Sequence, residues 1–326
     1  MNKRPCYALL ALLLAGCGSR AHAPLDEGPA LAYDPDRSAA HDYGGAADWH
    51  QPTEPGASGD TSQTCDVSEP PSSVAAWIDE SWEGSKEKMT NRQGWLFDAA
   101  MKGEGELNVC VRWGASVPMS TAVRDQIGPA MERWFNLWFS LLYPYDCFPY
   151  PHVKVRVSGY AVKPGQESLL PAGTWPVYTE TDSEGEPKCP RTCGFFLNWS
   201  HEFPECPGGQ AGHFDYALWI DDKLPSLTRA TAVGGEWGLR MPVRAFLDSL
   251  SSEAAAVIPI HEIGHGFGLP DYYDWTGSHP PGGSVMIVGT ASMPSPSDQW
   301  ILRRYWRETK ALRYPEGLGS LGVRSP

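Results

Sequence analysis

The segment His261-Glu262-Ile263-Gly264-His265 constrains the fold of this chain more than any other part of the sequence. Residues four positions apart lie on the same face of an α-helix, so both imidazoles can reach one metal ion if this segment is helical. The glutamate between them would then project beside the metal, where it can accept a proton from a bound water. The sequence therefore predicts a helix with a zinc site on one face.

The residues after this helix supply a candidate for a third metal ligand. Gly266 and Gly268 can end the helix and turn the chain, which brings the Asp271 carboxylate back toward the metal. Asp274 is the alternative third ligand. Three protein ligands leave a fourth position for water, as in catalytic zinc sites. We therefore expect one catalytic Zn²⁺ ion, bound by the two histidines and Asp271.

The stretch from His261 to Asp271 resembles the HExxHxxGxx motif, followed by His or Asp, of the metzincin zinc metallopeptidases. Aspartate as third ligand is the form seen in the snapalysin type. The sequence around Asp271 also resembles that of immune-inhibitor-A-like secreted peptidases. The resemblance implies a turn with a methionine beneath the metal, and Met286 follows Asp271 by fifteen residues. It further implies an α/β (α+β) fold with a mixed sheet backed by two long helices, a zinc site in a cleft, and Glu262 as general base.

Two features depart from the family pattern. Pro259 lies two residues ahead of the first histidine, so the helix must be kinked there or begin later than in relatives. No tyrosine follows Met286 at the position that supplies a fifth ligand in some metzincins. Stabilisation of the transition state would then come from another group, and Tyr272 and Tyr273 are the candidates.

The N-terminus has the pattern of an export signal. A positively charged start and a short apolar stretch lead to Leu14-Ala15-Gly16-Cys17, which resembles the lipobox of bacterial lipoproteins. The resemblance implies that residues 1–16 are removed and that lipid on Cys17 anchors the chain to a membrane without spanning it. In that family, an aspartate directly after the lipidated cysteine favours retention in the inner membrane. Here that residue is Gly18, which favours the outer membrane or cell surface. An ordinary signal peptide is the alternative.

Composition divides the rest of the chain. Residues 17–64 are acidic and poor in large apolar side chains, which predicts a flexible tether. Residues 65–326 would form one zinc-metallopeptidase-like domain, with 65–105 as a propeptide or as its N-terminal layer. The formal net charge of −13 repels a phosphate backbone, so we expect no nucleic-acid partner. A monomer is expected.

The cysteines are interpreted through this export signal. Cys6 would leave with the signal peptide and Cys17 would carry lipid, which leaves six of the eight cysteines. An even number in an exported chain predicts three disulfides, with the pairing left open. The candidates are Cys65, Cys110, Cys147, Cys189, Cys193 and Cys206.

Residue periodicity locates the main elements of the domain. Alternating apolar and polar residues predict strands over 107–113 and 153–157, and the apolar run 216–220 predicts a third strand. A helical pattern from residue 127 predicts a helix that begins or kinks at Pro129, and a second helix is expected from about Ser251. The segment with Trp300 and Trp306 predicts an amphipathic C-terminal helix packed on the domain.

Other polar residues carry weaker signals. Asp221-Asp222 is a weakly supported site for structural Ca²⁺, and an exposed strand end is the preferred interpretation. The remaining histidines of the domain look isolated, and we expect them to be solvated or hydrogen-bonded. They are His152, His201, His213 and His279.

These features predict an extracytoplasmic zinc-dependent endopeptidase that acts on protein or peptide substrates and contacts the membrane through Cys17. The alternative is a surface-anchored binding module of the same fold, with little peptidase activity, for polysaccharide or cell-wall material. The 14 tryptophans suggest this alternative, because aromatic faces stack on sugar rings. Glu262 favours the enzyme, since a binding module needs no general base.

Overall fold

The computed structural model of the chain describes residues 65–91, 93–173, 175–224 and 232–318. The predicted signal peptide (1–16), the predicted tether (17–64) and the predicted lipidation site Cys17 lie outside the described residues. The described helices are α1 Ser72–Thr90, α2 Trp95–Lys102, α3 Thr121–Leu142, α4 Gly209–Gly212, α5 Val243–Ser251, α6 Val257–Gly266 and α7 Pro296–Arg313. The described strands are β1 Glu106–Gly114, β2 Lys154–Ala161, β3 Val177–Tyr178, β4 Glu180–Thr181, β5 Pro187–Lys188, β6 Tyr216–Asp221, β7 Val233–Gly235 and β8 Gly238–Pro242.

A mixed six-stranded sheet forms the centre of the fold, in the order β3-β2-β1-β6-β8-β7. All neighbours in it are parallel except β7, which runs antiparallel to β8 at the edge. Helix α3 packs against β2 and also contacts α6 and α7. The predicted fold class, a mixed sheet backed by helices with disulfide-stapled loops, is confirmed, and so are the three predicted strands.

The first strand is more buried than its alternating sequence predicts. We expect a half-buried strand over 107–113, yet Val109, Cys110 and Val111 are all fully buried. Strand β1 lies between β2 and β6 in the sheet, and Cys110 is covered by its disulfide partner Cys189. Both faces of this strand are therefore covered, as is typical of the central strand of a parallel sheet.

Helix α3 begins eight residues before the predicted start. The Ser120 side chain accepts a hydrogen bond from the Val123 N–H and caps the helix, which then continues through Pro129. Proline inside a helix removes one backbone hydrogen bond. Burial of the large side chains that follow, including Trp134 and Trp138, offsets this loss. Of the two alternatives at Pro129, a helix start or a kink, the start is therefore wrong, because the serine cap determines where α3 begins.

Helix α6, which carries the histidine motif, has 10 residues and is shorter than predicted. The chain leaves helix α5 at Ser251 and becomes helical again at Val257. Pro259 consequently lies in the first turn of α6, where backbone N–H groups have no intrahelical acceptor. The later start is one of the two outcomes predicted from this proline.

The two ends of the described chain pack against each other. Helix α1 contacts α7, the Tyr305 hydroxyl donates to Ser85 Oγ (2.6 Å), and Phe97 of α2 packs on Trp306 with ring centroids 5.9 Å apart. Helices α1 and α2 thus pack against the C-terminal helix. The predicted C-terminal helix is confirmed as α7, and Trp306 is fully buried.

The three predicted disulfides are confirmed, and each predicted cysteine takes part in one. The pairs are Cys65–Cys147, Cys110–Cys189 and Cys193–Cys206. Such bridges are compatible with an extracytoplasmic protein. Among the described helices, none combines the length and apolar character needed to cross a membrane.

Candidate metal centre

Helix α6 and the turn after it bring the three predicted ligands together. His261 and His265 lie on one face of the helix, with ring centroids 5.0 Å apart. Asp271 Oδ1 lies 2.9 Å from His261 Nε2 and 3.4 Å from His265 Nε2. The turn that returns Asp271 passes through Gly268, whose φ of +87° lies in the left-handed region. Asp274 is exposed and lies outside this group of possible ligands.

Backbone carbonyls hold both imidazoles in one tautomer. His261 Nδ1 donates to the Val285 carbonyl and His265 Nδ1 donates to the Leu269 carbonyl, each over 2.8 Å. The Nε2 atoms therefore face Asp271, and each offers a lone pair to a metal once it has lost its own proton. An Nδ1–H group bonded to a carbonyl is the usual second contact of a histidine that binds metal through Nε2.

Met286 lies in the turn directly beneath α6. Its side chain is fully buried, and a Cβ atom built on Gly264 would lie only 2.4 Å from its sulfur. Its carbonyl accepts a hydrogen bond from the Tyr272 N–H (3.1 Å). The residue before it, Val285, supplies the carbonyl that holds His261. The turn thus supports the histidine helix from below, in the place where the family resemblance expects a methionine.

Glu262 lies between the histidines and the edge strand β7. The side chain is 7% exposed, and its Oε2 atom is 3.9 Å from His265 Nε2. Burial raises the pKa of Glu262, while His261, His265 and a hydrogen bond from the Gly234 N–H oppose this increase. A Cβ atom on Gly234 would lie 2.6 Å from Oε2, so only glycine lets β7 approach the carboxylate this closely. A raised pKa suits a carboxylate that must accept and return a proton near neutral pH.

Opposite charges concentrate at the three ligands. Burial lowers the histidine pKa values, but the hydrogen bonds to Asp271 and the negative charges of Asp271 and Glu262 together outweigh it, so the pKa of His261 is raised and that of His265 reaches about 9. Burial would raise the pKa of Asp271, yet the two histidines hold it well below its ordinary value. Two imidazoles and one carboxylate are a donor set that suits Zn²⁺. The residues present therefore fit the expected zinc ion.

The two tyrosines suggested for transition-state stabilisation differ in position. Tyr272 is fully buried, and its hydroxyl lies 3.1 Å from Ser81 Oγ, so it faces the domain interior and not the ligands. That candidate is therefore wrong. Tyr273 is 44% exposed, and its hydroxyl hydrogen-bonds with Asp271. Of the two, Tyr273 is the side chain that lies at the metal centre.

Asp298 is a functional residue that periodicity does not reveal. Its buried carboxylate accepts hydrogen bonds from Ser284 Oγ (2.5 Å) and from the Val285 N–H (3.0 Å), so it anchors the turn beneath α6. It also accepts the Ser295 N–H (2.7 Å) in a capping box at the start of α7. The local signal was available in Ser295-Pro296-Ser297-Asp298, which is typical of a helix start.

The remaining histidines divide into two kinds. His152 Nε2 lies 2.9 Å from the Glu132 carboxylate, which confirms a hydrogen-bonded role, and His279 is exposed. His201 and His213, expected to be isolated, instead lie together with Asp215. That expectation is wrong, because pairing of β1 with β6 brings distant segments to one point.

Asp221 is a buried ion-pair partner and not an exposed strand end. Its carboxylate is fully buried, pairs with Arg240 Nε (2.5 Å) and accepts the N–H groups of Lys223 and Leu224 (both 2.9 Å). Asp222 is exposed and accepts the Ser116 N–H. Protein groups thus engage the Asp221 carboxylate, and we do not propose structural calcium at this pair.

Comparison of the chain with protein-family models, curated proteins and solved structures gave no significant match. The function is accordingly argued from the geometry of the site.

Proposed function

We propose that this chain is an extracytoplasmic, metzincin-type zinc endopeptidase that hydrolyses peptide bonds with a metal-activated water. One observation carries the proposal: His261, His265 and Asp271 present their ligand atoms within 4.8 Å of one another, beside the buried carboxylate of Glu262. Structural zinc sites bind four protein ligands, whereas three ligands leave one position for water. A general base beside an open position is the requirement of metal-assisted hydrolysis.

The surroundings of the site support a peptide substrate. Strand β7 is the antiparallel edge of the sheet, contacts α6, and places Gly234 against Glu262. An edge strand presents backbone N–H and C=O groups that an extended peptide can pair with. A peptide bound along β7 would pass next to the general base, which suits cleavage within a chain.

The chemistry of the step follows from the residues. Zinc, when bound by the three ligands, lowers the pKa of water and polarises the substrate carbonyl. Glu262 accepts the proton as the water oxygen bonds to the carbonyl carbon, and then transfers it to the amine nitrogen as the C–N bond breaks. The Gly234 N–H orients the Glu262 carboxylate for both transfers. Tyr273, at Asp271, is the candidate to donate to the carbonyl oxygen.

The alternative of a polysaccharide-binding module depends on an aromatic surface. Trp113, Trp134, Trp138 and Trp306 are instead among the largest fully buried side chains. Within the described ranges no tryptophan is exposed. Much of the tryptophan content is therefore explained by core packing, and we do not propose this alternative.

The location of the domain is the second part of the proposal. We place it outside the cytoplasm, held to the membrane by lipid on Cys17. Three disulfides support the oxidising compartment. Radioactive palmitate should label the full chain but not the Cys17→Ala variant, and that variant should leave the membrane fraction. Equal labelling of both chains would contradict the anchor.

Substitution of the general base tests the activity. The purified full chain should cleave casein, a chelator should stop cleavage, and zinc should restore it. Glu262→Ala should abolish cleavage while the bound zinc stays unchanged, because Glu262 is not a ligand. Glu253→Ala, which changes an exposed glutamate, is the matched control and should retain activity. Full proteolysis by Glu262→Ala would refute the proposal.

A further inference from the structure

A second group of metal-type side chains lies at the start of strand β6. Asp215 directly precedes β6, and its Oδ2 atom accepts the N–H of Asn108 in the neighbouring strand β1 (2.8 Å). His213 lies two residues earlier, and His201 comes from the loop that the Cys193–Cys206 disulfide closes. The ligand atoms of the two histidines and Asp215 all lie within 4.8 Å of one another.

The distances within this group suit a metal. His201 Nε2 lies 3.5 Å from Asp215 Oδ1, and His213 Nε2 lies 3.5 Å from Asp215 Oδ2. Two ligands of a tetrahedral zinc ion with bonds of about 2.0 Å are about 3.3 Å apart. At the centre on α6, the corresponding distances from Asp271 are 2.9 and 3.4 Å. The second group is therefore about as close to zinc spacing as the first.

Several buried polar atoms at this point are poorly paired. Asn108 Oδ1 makes no hydrogen bond, and Asp215 Oδ1 and His201 Nε2 have only each other at 3.5 Å, although Asp215 is 5% exposed and Asn108 3%. A buried polar atom without a good partner destabilises the folded state. Polar atoms this poorly paired are rare inside folded proteins, and three of them at one point favour a missing partner. A cation between the two histidines and Asp215 would satisfy them together.

The histidine chemistry agrees with a cation. His213 Nδ1 donates to the Gln210 carbonyl, which leaves the lone pair on Nε2, as at both histidines of α6. Asn108 Nδ2 lies 2.8 Å from His213 Nε2, so a half-turn of this amide brings its unpartnered oxygen to the site. Phe203 stacks on His213 with ring centroids 4.2 Å apart and shields the group from water.

We propose that His201, His213 and Asp215 bind a second Zn²⁺ ion, with the Asn108 side-chain oxygen as fourth ligand. The site is structural, because four protein ligands close the coordination shell. Its ligands connect β1, the entrance to β6 and the loop around His201, so the ion fixes this loop to the sheet. The inference does not depend on the proposed peptidase activity, since the two sites share no residue.

Zinc content tests the second site. After dialysis against metal-free buffer, the purified full chain should contain two zinc ions, measured by inductively coupled plasma mass spectrometry. His213→Ala and His265→Ala should each lose one ion. His152→Ala, which changes an exposed histidine bound to Glu132, is the control and should keep the wild-type content. Equal zinc content of His213→Ala and the wild type would overturn the proposal.

A second measurement tests the site even if the His213→Ala variant does not fold. His201 has a φ of +64°, a conformation that asparagine tolerates, so His201→Asn keeps the loop but removes Nε2. In a chain that already carries His265→Ala, added zinc should raise the melting temperature. Adding His201→Asn should abolish that increase. An equal zinc-dependent increase in both chains, or no increase in either, would overturn the proposal, whether or not the wild type cleaves casein.

Discussion

Asp298 holds the turn beneath the proposed metal centre, and its removal should weaken both stability and zinc binding. The carboxylate is fully buried and accepts hydrogen bonds from Ser284 Oγ (2.5 Å), the Val285 N–H (3.0 Å) and the Ser295 N–H (2.7 Å). Asp298→Ala would leave these donors buried without an acceptor. One of these donors, the Val285 N–H, belongs to the same residue as the carbonyl that orients His261.

The magnitude follows from these contacts. Each buried donor that loses its partner costs about 1–3 kcal/mol, and release of a buried carboxylate offsets part of the sum. We expect the free energy of unfolding to fall by about 3–5 kcal/mol. The total free energy of unfolding of a domain is about 5–15 kcal/mol. For a domain of this size, 1 kcal/mol shifts the melting temperature by about 2–4 °C. The transition should therefore move down by about 10 °C.

Thermal unfolding followed by circular dichroism measures this shift. Zinc competition with a chromophoric chelator measures the second effect, for which we expect a 10- to 100-fold weaker affinity, roughly the cost of losing an outer-shell contact. Asp125→Ala removes an exposed aspartate, is the matched control and should change stability by less than about 0.5 kcal/mol. A loss below about 1 kcal/mol for Asp298→Ala, with unchanged zinc affinity, would show that our reasoning about the turn is wrong.

Three further predictions concern packing, a buried ion pair and the site. Gly264→Ala should destabilise the fold by about 1–3 kcal/mol, because the new methyl group meets a sulfur 2.4 Å away, whereas Gly128→Ala has 4.0 Å of space and should stabilise α3 by about 0.5–1 kcal/mol. Urea unfolding measures both, and equal effects would contradict the packing argument. Arg240→Ala should cost about 3–5 kcal/mol, since it leaves a buried carboxylate unpaired, while the exposed Arg244→Ala should cost less than about 1 kcal/mol. Calorimetry compares them, and a similar loss in both would count against the buried pair. Tyr273→Phe should lower kcat at least 10-fold without loss of zinc, and an unchanged kcat for casein would remove this residue from the mechanism.

The meeting of the three residues of the proposed zinc centre is predictable because they are close along the chain. His261, His265 and Asp271 lie on one helix and the turn after it, so helical geometry and two glycines are enough to bring them together. The strands are likewise predictable from local alternation. The helix starts are less so, because the cap at Ser120 outweighs the expected effect of Pro129.

The second cluster cannot be predicted in this way. His201 and Asp215 belong to different parts of an irregular stretch, and they meet because β6 pairs with β1 and because a disulfide closes the loop. Local periodicity contains no information about such pairing. The cysteines show the same limit, since their number predicts three bridges but not which residues join.

The bridge between Cys65 and Cys147 determines how the domain bears mechanical load. It closes a covalent loop with a sequence separation of 82 residues, which contains α1, α2, β1 and α3. A force applied to the chain ahead of Cys65 passes directly through the two sulfurs into the residues around Cys147. The elements inside the loop carry none of the extension. A chain pulled from its N-terminal side therefore cannot extend these elements for as long as this bridge is oxidised.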